Sequence, residues 1–178
     1  MDNLSYYIRK YNLIPKEVCT SSIEKLKKEE WQPHGWLDYE QQKHVNLKND
    51  LSVLFNSEVV NDLNHFIDLA LSLYQQEFKN LIFERSNIRF NKYGVEEKMN
   101  RHYDHIRDLF DGNKKGIPVL SILGLLNDDY KGGEFYIVDR KIEPIAGDIL
   151  IFPSCFLYPH EVKKVIEGTR YSFISWGY

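Results

Sequence analysis

The stretch Gly147-Asp-Ile-Leu-Ile-Phe-Pro-Ser-Cys-Phe-Leu-Tyr-Pro-His160, continued through Glu-Val-Lys-Lys-Val-Ile-Glu-Gly-Thr to Arg170-Tyr-Ser-Phe-Ile-Ser-Trp176, decides how this chain folds. It holds two short apolar runs, Ile149–Phe152 and Tyr171–Trp176, set off by the turn residues Ala146-Gly-Asp and Glu167-Gly-Thr. Runs of this length bounded by Gly, Pro and Asp read as buried strands. The same rhythm continues upstream in Leu81–Tyr93, Pro118–Leu126 and Gly133–Val138, with turns at Asp111-Gly-Asn, Asn127-Asp-Asp and Lys131-Gly-Gly. Strands this short and closely spaced predict an antiparallel sandwich or barrel. Gly132 and Gly133 are read as turn residues that supply positive φ, not as phosphate ligands.

Residues 1–80 carry helical signals instead. Pro15 can open a helix, where its missing N–H costs nothing, and Val18/Cys19, Ile23 and Leu26 recur at helical spacing. A second helix is expected after Ser57, a good N-cap. Its stripe runs from Val59 through Leu63, Phe66/Ile67, Ala70 and Leu73/Tyr74 to Phe78, with the 3.6-residue period. Between the two lies the aromatic loop Trp31-Gln-Pro-His-Gly-Trp36. No repeat, low-complexity segment or linker divides the chain. The expectation is one α+β domain over 1–178, with a helical support region at 1–80 and a β-barrel core at 81–178.

Composition bounds the partners. The chain has 178 residues, 43% of them hydrophobic and 14% aromatic, enough to bury a core without staples. A formal charge of −3 with no block of like charges argues against nucleic acid or an anionic membrane as partner. The 2 cysteines make neither a disulfide scaffold nor a thiolate metal site. The N-terminal residues lack the apolar core of a signal peptide, and Leu63–Tyr74 is interrupted by His65 and Asp68, so a cytoplasmic chain is expected.

The chemistry begins at His102-Tyr103-Asp104. On an extended segment residues i and i+2 face the same way, so an imidazole and a carboxylate can approach one metal together. Alone, that spacing recurs by chance. Downstream, His160 follows a predicted strand, and Arg170 opens the last strand ten residues later. Two histidines and one carboxylate form the ligand set of a non-haem Fe(II) oxygenase, with coordination positions left open. A chelating cosubstrate such as 2-oxoglutarate takes two of these and O₂ the third. A buried arginine is the natural bidentate partner for the cosubstrate's far carboxylate.

These features sit in an ordered series. Arg89-Phe-Asn-Lys-Tyr93 comes first, then His102-x-Asp104, Leu126-Asn-Asp and Gly132-Gly-Glu-Phe135. Ile142-Glu-Pro-x-x-Gly147-Asp-Ile-Leu-Ile-Phe-Pro153 follows, and the His160 to Trp176 segment closes it. In this order and spacing residues 88–178 resemble the double-stranded β-helix, a jelly-roll or cupin-like barrel, of the 2-oxoglutarate/Fe(II) dioxygenases, in their prolyl 4-hydroxylase-like branch. The resemblance implies that His102, Asp104 and His160 ligate Fe(II). It implies that Arg170 binds the far carboxylate of 2-oxoglutarate with Ser172 beside it, and that Tyr93 hydrogen-bonds the cosubstrate. The implied reaction hydroxylates an unactivated C–H of a proline-containing peptide or protein and yields succinate and CO₂, with ascorbate as a reductant for the iron. There are departures. Collagen-type members place a lysine at the Arg170 position, and some animal members use a tyrosine where this chain has Leu125.

Substrate choice is expected in the loops His105–Gly116 and Asn127–Lys131. Within the superfamily the rival reactions are oxidative demethylation of nucleic-acid bases and hydroxylation of a free amino acid or other small metabolite. Asn91-Lys-Tyr93 matches the N-x-Y of the demethylases, but their second C-terminal arginine is replaced here by Ser175. A non-catalytic barrel that only binds is the remaining alternative. Other residues read more simply. His105 belongs to a loop, Asp148 caps a turn, Trp176 is core or lies near the site wall, and Cys155 is structural. His34, with Trp31 and Trp36, either lines a peptide groove or packs the helical half on the sheet, and packing is the simpler of the two.

Overall fold

A computed structural model describes residues 3–38, 43–79, 84–104 and 118–178. A short 3-10 turn (Asn3–Tyr7) leads into β1 (Arg9–Asn12) and α1 (Lys16–Leu26). Next come β2 (Gln32–Pro33), β3 (Trp36–Asp38), β4 (Lys43–Val45), β5 (Ser52–Leu54) and α2 (Val59–Phe78). The barrel strands follow as β6 (Arg89–Tyr93), β7 (Met99–His102), β8 (Leu120–Leu125), β9 (Lys131–Gly132) and β10 (Phe135–Ile137). The last are β11 (Arg140–Ile142), β12 (Asp148–Pro153), β13 (His160–Val162), β14 (Val165–Glu167) and β15 (Arg170–Gly177).

Antiparallel pairing builds a seven-stranded sheet in the order β1-β12-β8-β15-β6-β5-β2 and a four-stranded sheet in the order β11-β10-β13-β7. The pairs β14-β9 and β3-β4 stand apart. The strand period of two sorts the side chains. On β15 and its neighbours Phe173, Tyr171, Phe90, Ile122, Ile149 and Ile151 face outward and join the helices in one core. Ile174, Tyr93, Leu123, Leu150 and Phe152 face inward and meet Phe135, Ile137 and Val162 of the smaller sheet in a second core. The architecture is thus α+β, a double-stranded β-helix with two helices on the outer face of its larger sheet.

Local chemistry accounts for the helices. α1 starts directly after Pro15, and α2 buries Val59, Leu63, Ile67, Ala70, Leu71 and Tyr74 along one stripe. The Ser57 hydroxyl accepts the Val59 N–H at 3.3 Å, as an N-cap side chain does. Gly124 is required where the outer face is tightest, because a Cβ there would sit 1.9 Å from the Phe173 ring. Gly132 and Gly133 have φ of 73° and 63°, as a turn at that point demands. Asp148 accepts the Ile145 N–H at 2.8 Å, and so caps the preceding turn.

Residues 1–80 are not only helical. They add β1, β2 and β5 to the seven-stranded sheet and form the β3–β4 hairpin. These strands are two to four residues long, and β1 alternates half-buried with exposed polar positions, so no apolar period marks them. The Trp31–Trp36 segment is therefore partly paired and not a free loop. Of the expected strand Leu81–Tyr93, residues 81–83 lie outside the described residues, and among the rest the strand begins at Arg89. The loop His105–Gly116 and the turn Asp111-Gly-Asn lie outside the described residues. No helix among the described residues is long and apolar enough to cross a membrane.

Candidate metal and cosubstrate site

The triplet reaches one point from two strands of the smaller sheet. His102 ends β7 and pairs directly with His160, which opens β13. Asp104 lies two residues beyond β7. One ligand atom from each of His102, Asp104 and His160 falls within 4.8 Å of the others. Asp104 Oδ1 stands 3.4 Å from His102 Nε2, and its Oδ2 stands 3.6 Å from His160 Nε2.

The far ring nitrogens fix which atom is free to ligate. His102 Nδ1 donates to the Asn100 carbonyl at 2.7 Å, and His160 Nδ1 donates to the Tyr158 carbonyl at 3.1 Å. With the proton on Nδ1, each Nε2 presents its lone pair to the cluster. Burial pushes the His160 imidazole down to about 4, so it is neutral at pH 7. Burial opposes ionisation of Asp104, but His160, His102 and the Ser121 hydroxyl more than offset it and hold the carboxyl below its ordinary range. The donor set is two imidazoles and one carboxylate, which suits a divalent transition metal such as Fe(II).

Three supports around the cluster carry no sequence motif. Ser121 Oγ donates to Asp104 Oδ2 at 2.6 Å and stands 2.8 Å from Ser154 Oγ, so Ser154 orients Ser121 and Ser121 orients the carboxylate. Both serines are fully buried, Ser121 on the apolar strand β8 and Ser154 just past the end of β12, and no sequence pattern marks either. Trp36 packs edge-on to the His102 ring at 5.4 Å between centroids. Its Nε1–H donates to Asp50 Oδ2 at 2.5 Å, and His34 Nδ1 donates to the same oxygen at 2.9 Å. Burial lowers the His34 pKa, against the pull of Asp50. Of the aromatic loop, Trp36 thus stands beside the cluster with His34 behind it. Trp31 packs against Tyr171 on the outer side, its Nε1–H donating to the Leu26 carbonyl at 3.0 Å.

At the other end of the inner face, Arg170 is fully buried. Its Nη1 donates to Ser172 Oγ at 2.8 Å, while Nε and Nη2 are buried with no partner among the described residues. Such an arrangement is costly unless a bidentate acceptor completes it. The Tyr93 ring lies 5.0 Å from the guanidinium carbon, and Tyr93 pairs with Arg170 across β6 and β15. Burial pushes the Tyr93 hydroxyl up to about 12, so it stays a neutral donor. Leu125, fully buried, lies opposite Ser172, so no tyrosine hydroxyl is supplied from that position. These residues fit the far carboxylate of 2-oxoglutarate. A cavity of about 330 Å³ reaches Arg170 past Asp128, Tyr130, Gly133, Phe135 and Ile142. The segment Asn127–Lys131 borders this cavity. Asn127 is stitched to the Thr169 carbonyl at 2.7 Å and to the Tyr171 N–H at 2.7 Å, directly beside Arg170.

A two-histidine, one-carboxylate cluster inside a jelly-roll barrel defines the cupin-like class of metal proteins. Residues 88–178 match the 2OG-Fe(II) oxygenase superfamily, and the chain belongs to it. Iron, 2-oxoglutarate and O₂ are what that membership implies. The fold is similar to a prolyl hydroxylase from Trichoplax adhaerens in complex with a hypoxia inducible factor peptide fragment. The TM-score is 0.76 at 18% identity, over 99% of this chain and 86% of that one. A Pseudomonas putida prolyl-4-hydroxylase gives 0.72 at 17%, over 99% and 95%. The viral collagen prolyl hydroxylase of Paramecium Bursaria Chlorella virus-1, in its 2OG complex, gives 0.68 at 16%, over 96% and 94%. No curated protein sequence matches the chain significantly.

Proposed function

We propose that this oxygenase hydroxylates a prolyl residue in a peptide or protein, with succinate and CO₂ as co-products and ascorbate as a reductant that keeps the iron active. The observation that carries the hydroxylase reading is the inner face itself. An unsatisfied arginine and a ligand-ready two-histidine, one-carboxylate cluster lie in one barrel, with donors suited to the two ends of a single dicarboxylate. The prolyl substrate is supported by the fold's similarity to prolyl hydroxylases, one of them in complex with a peptide.

In this reading His102, Asp104 and His160 hold the metal, Arg170 grips the cosubstrate's far carboxylate, and Ser172 and Tyr93 fix the guanidinium and the cosubstrate chain. Iron and 2-oxoglutarate, when bound, supply the oxidising power for breaking an unactivated C–H bond. The residues of the chain position and exclude water. Ser121 and Trp36 keep Asp104 and His102 aimed, while Phe135, Phe152 and Leu125 line an apolar interior around the reacting groups. The whole chain acts as one catalytic domain, with residues 1–80 backing the barrel.

The test is incubation of the protein with Fe(II), 2-oxoglutarate, ascorbate and a set of proline-containing peptides, followed by mass spectrometry. A shift of about +16 on proline, coupled to succinate formation and lost in H102A, is expected. Succinate formation without any modified proline would sink the prolyl assignment and leave the oxygenase class intact.

A further inference from the structure

The strand that carries Tyr93 also carries Arg89, four residues away on the same inner face. The register pairs Tyr93 with Arg170 at one end and Arg89 with Ile174 at the other. Four residues of extended chain span about 13 Å, so Arg89 is well beyond the cosubstrate's arginine. It lies instead toward the metal end. Its guanidinium stacks over the Trp176 ring at 5.1 Å, Trp176 pairs with Ser121, and Ser121 donates to the metal-side carboxylate Asp104.

Arg89 is half-buried, yet it forms no ion pair among the described residues. Among the described residues its one hydrogen bond is from Nε to Asn91 Oδ1 at 3.2 Å, and neither terminal nitrogen meets an acceptor there. Burial lowers its pKa, and Asp104 and Asp50 only partly oppose this from beyond contact distance. The same indole carries a second, independent donor, since Trp176 Nε1 is buried with no partner among the described residues. A partly desolvated guanidinium held over an indole ring, with both terminal nitrogens unpaired among the described residues, matches a planar carboxylate. The cosubstrate's far carboxylate is already matched by Arg170.

We propose that Arg89 and Trp176 form a substrate-binding subsite for a carboxylate close to the hydroxylated carbon. The assignment rests on the hydroxylase reading above and narrows its substrate. The carboxylate comes from an acidic side chain next to the target residue, from the C-terminus of a peptide, or from a free amino acid. An internal proline flanked by neutral residues is then a poor substrate.

Two measurements test this. The first needs no turnover. The Trp176 indole N–H resonance of the Zn(II)- and 2-oxoglutarate-loaded protein is followed while N-acetylglycinate, or its neutral amide, is added. A saturable shift with the carboxylate alone, abolished in R89M and weakened in R89K, is expected. No saturable shift, or the same shift with the amide or in R89M, overturns the subsite. The amide comparison is made in the unsubstituted protein, so it decides even where a variant does not fold.

The second measurement is hydroxylation by the Fe(II)-loaded protein. The probes are proline peptides flanked by Glu or by Gln, free C-terminal prolyl peptides and their amides, and L-proline with L-prolinamide. Members bearing the carboxylate should be favoured by about ten- to a hundredfold in kcat/KM, and R89M should erase that preference while the 2-oxoglutarate requirement stays within about twofold. Which pair shows the preference identifies the source of the carboxylate. Equal hydroxylation of acidic and neutral probes sinks the subsite and leaves the prolyl reading standing. A persistent Trp176 shift with no proline probe hydroxylated does the reverse.

Discussion

Arg170 and Phe173 lie three residues apart on β15 and are equally buried, both at 0% exposure. They do opposite work. Phe173 points outward into the core shared with α2, where Gly124 gives up its own side chain to make room for the ring. Arg170 points inward, with two of its donor nitrogens unsatisfied. The outer face of the larger sheet is built for stability. The inner face carries Ser121, Asn91, Ser172 and two arginines, groups that a core assembled for stability alone would exclude.

The comparison breaks most sharply at the metal. Asp104→Ala should abolish stoichiometric Fe(II) binding and 2-oxoglutarate turnover, while the fold persists, as read by metal titration and circular dichroism. Loss of the fold along with the metal would mean that the cluster also holds the barrel together. On the outer face Phe173→Ala should cost about 3–5 kcal/mol in denaturant unfolding, because it empties a fully packed site. Where the variant still folds, its Fe(II) affinity should be unchanged.

Arg170→Met sharpens the contrast, since the expected sign is reversed. Removing a buried charge with unpaired donors should leave stability unchanged or raise it. The same change should raise the 2-oxoglutarate requirement by about ten- to a hundredfold with little effect on iron binding. A destabilisation as large as that of Phe173→Ala would show that the inner face is an ordinary core after all.

How much of this was legible in the sequence follows the same division. The outer face and α2 were readable because burial against one neighbour imposes a regular period, as in Val59 to Phe78. His102, Asp104, His160 and Arg170 stood out because they fall in one ordered series of motifs, although the His-x-Asp spacing alone recurs by chance. Ser121, Ser154, Asp50 and Trp36 were not, because each acts through one contact made in three dimensions. Ser121 meets Asp104 only once β8 is registered against β12 and β15. Trp36, held by Asp50, meets His102 only once the short, polar strands before α2 join the barrel. Those strands were read as part of a helical half, since two or three residues are too few to show a period.

The metal end also sets the response to acid. An unfolded chain protonates a histidine near its ordinary value of about 6.5, whereas folded His160 holds off until about 4. Between those values the unfolded state binds more protons, so stability falls as pH drops through this window and is fully present above it. At about 1.4 kcal/mol per pH unit, the metal-free protein should lose about 3 kcal/mol from this group between pH 6.5 and 4. Buried His34 adds a loss of the same sign. Thermal melts across that range should show the slope, and His160→Gln should flatten most of it. A slope unchanged in that variant would assign the acid sensitivity elsewhere.

The smallest expected effect tests whether the strands before α2 belong to the functional face. The Asp50 carboxylate takes two donors on one oxygen, His34 Nδ1 and Trp36 Nε1, and its other oxygen accepts the Leu51 N–H at 3.0 Å. Asp50→Asn removes the charge and leaves only one amide oxygen to serve three donors. The cost should be about 1–2 kcal/mol of stability. Trp36 would then be freer to turn away from His102, and metal affinity should fall by less than about tenfold, read by Co(II) titration. Trp36→Phe keeps an aromatic edge on His102 without the hydrogen bond, so its metal affinity should stay nearer the unsubstituted value. If Asp50→Asn lowers stability and leaves metal affinity untouched, these strands serve only as packing, and the functional face begins at β6.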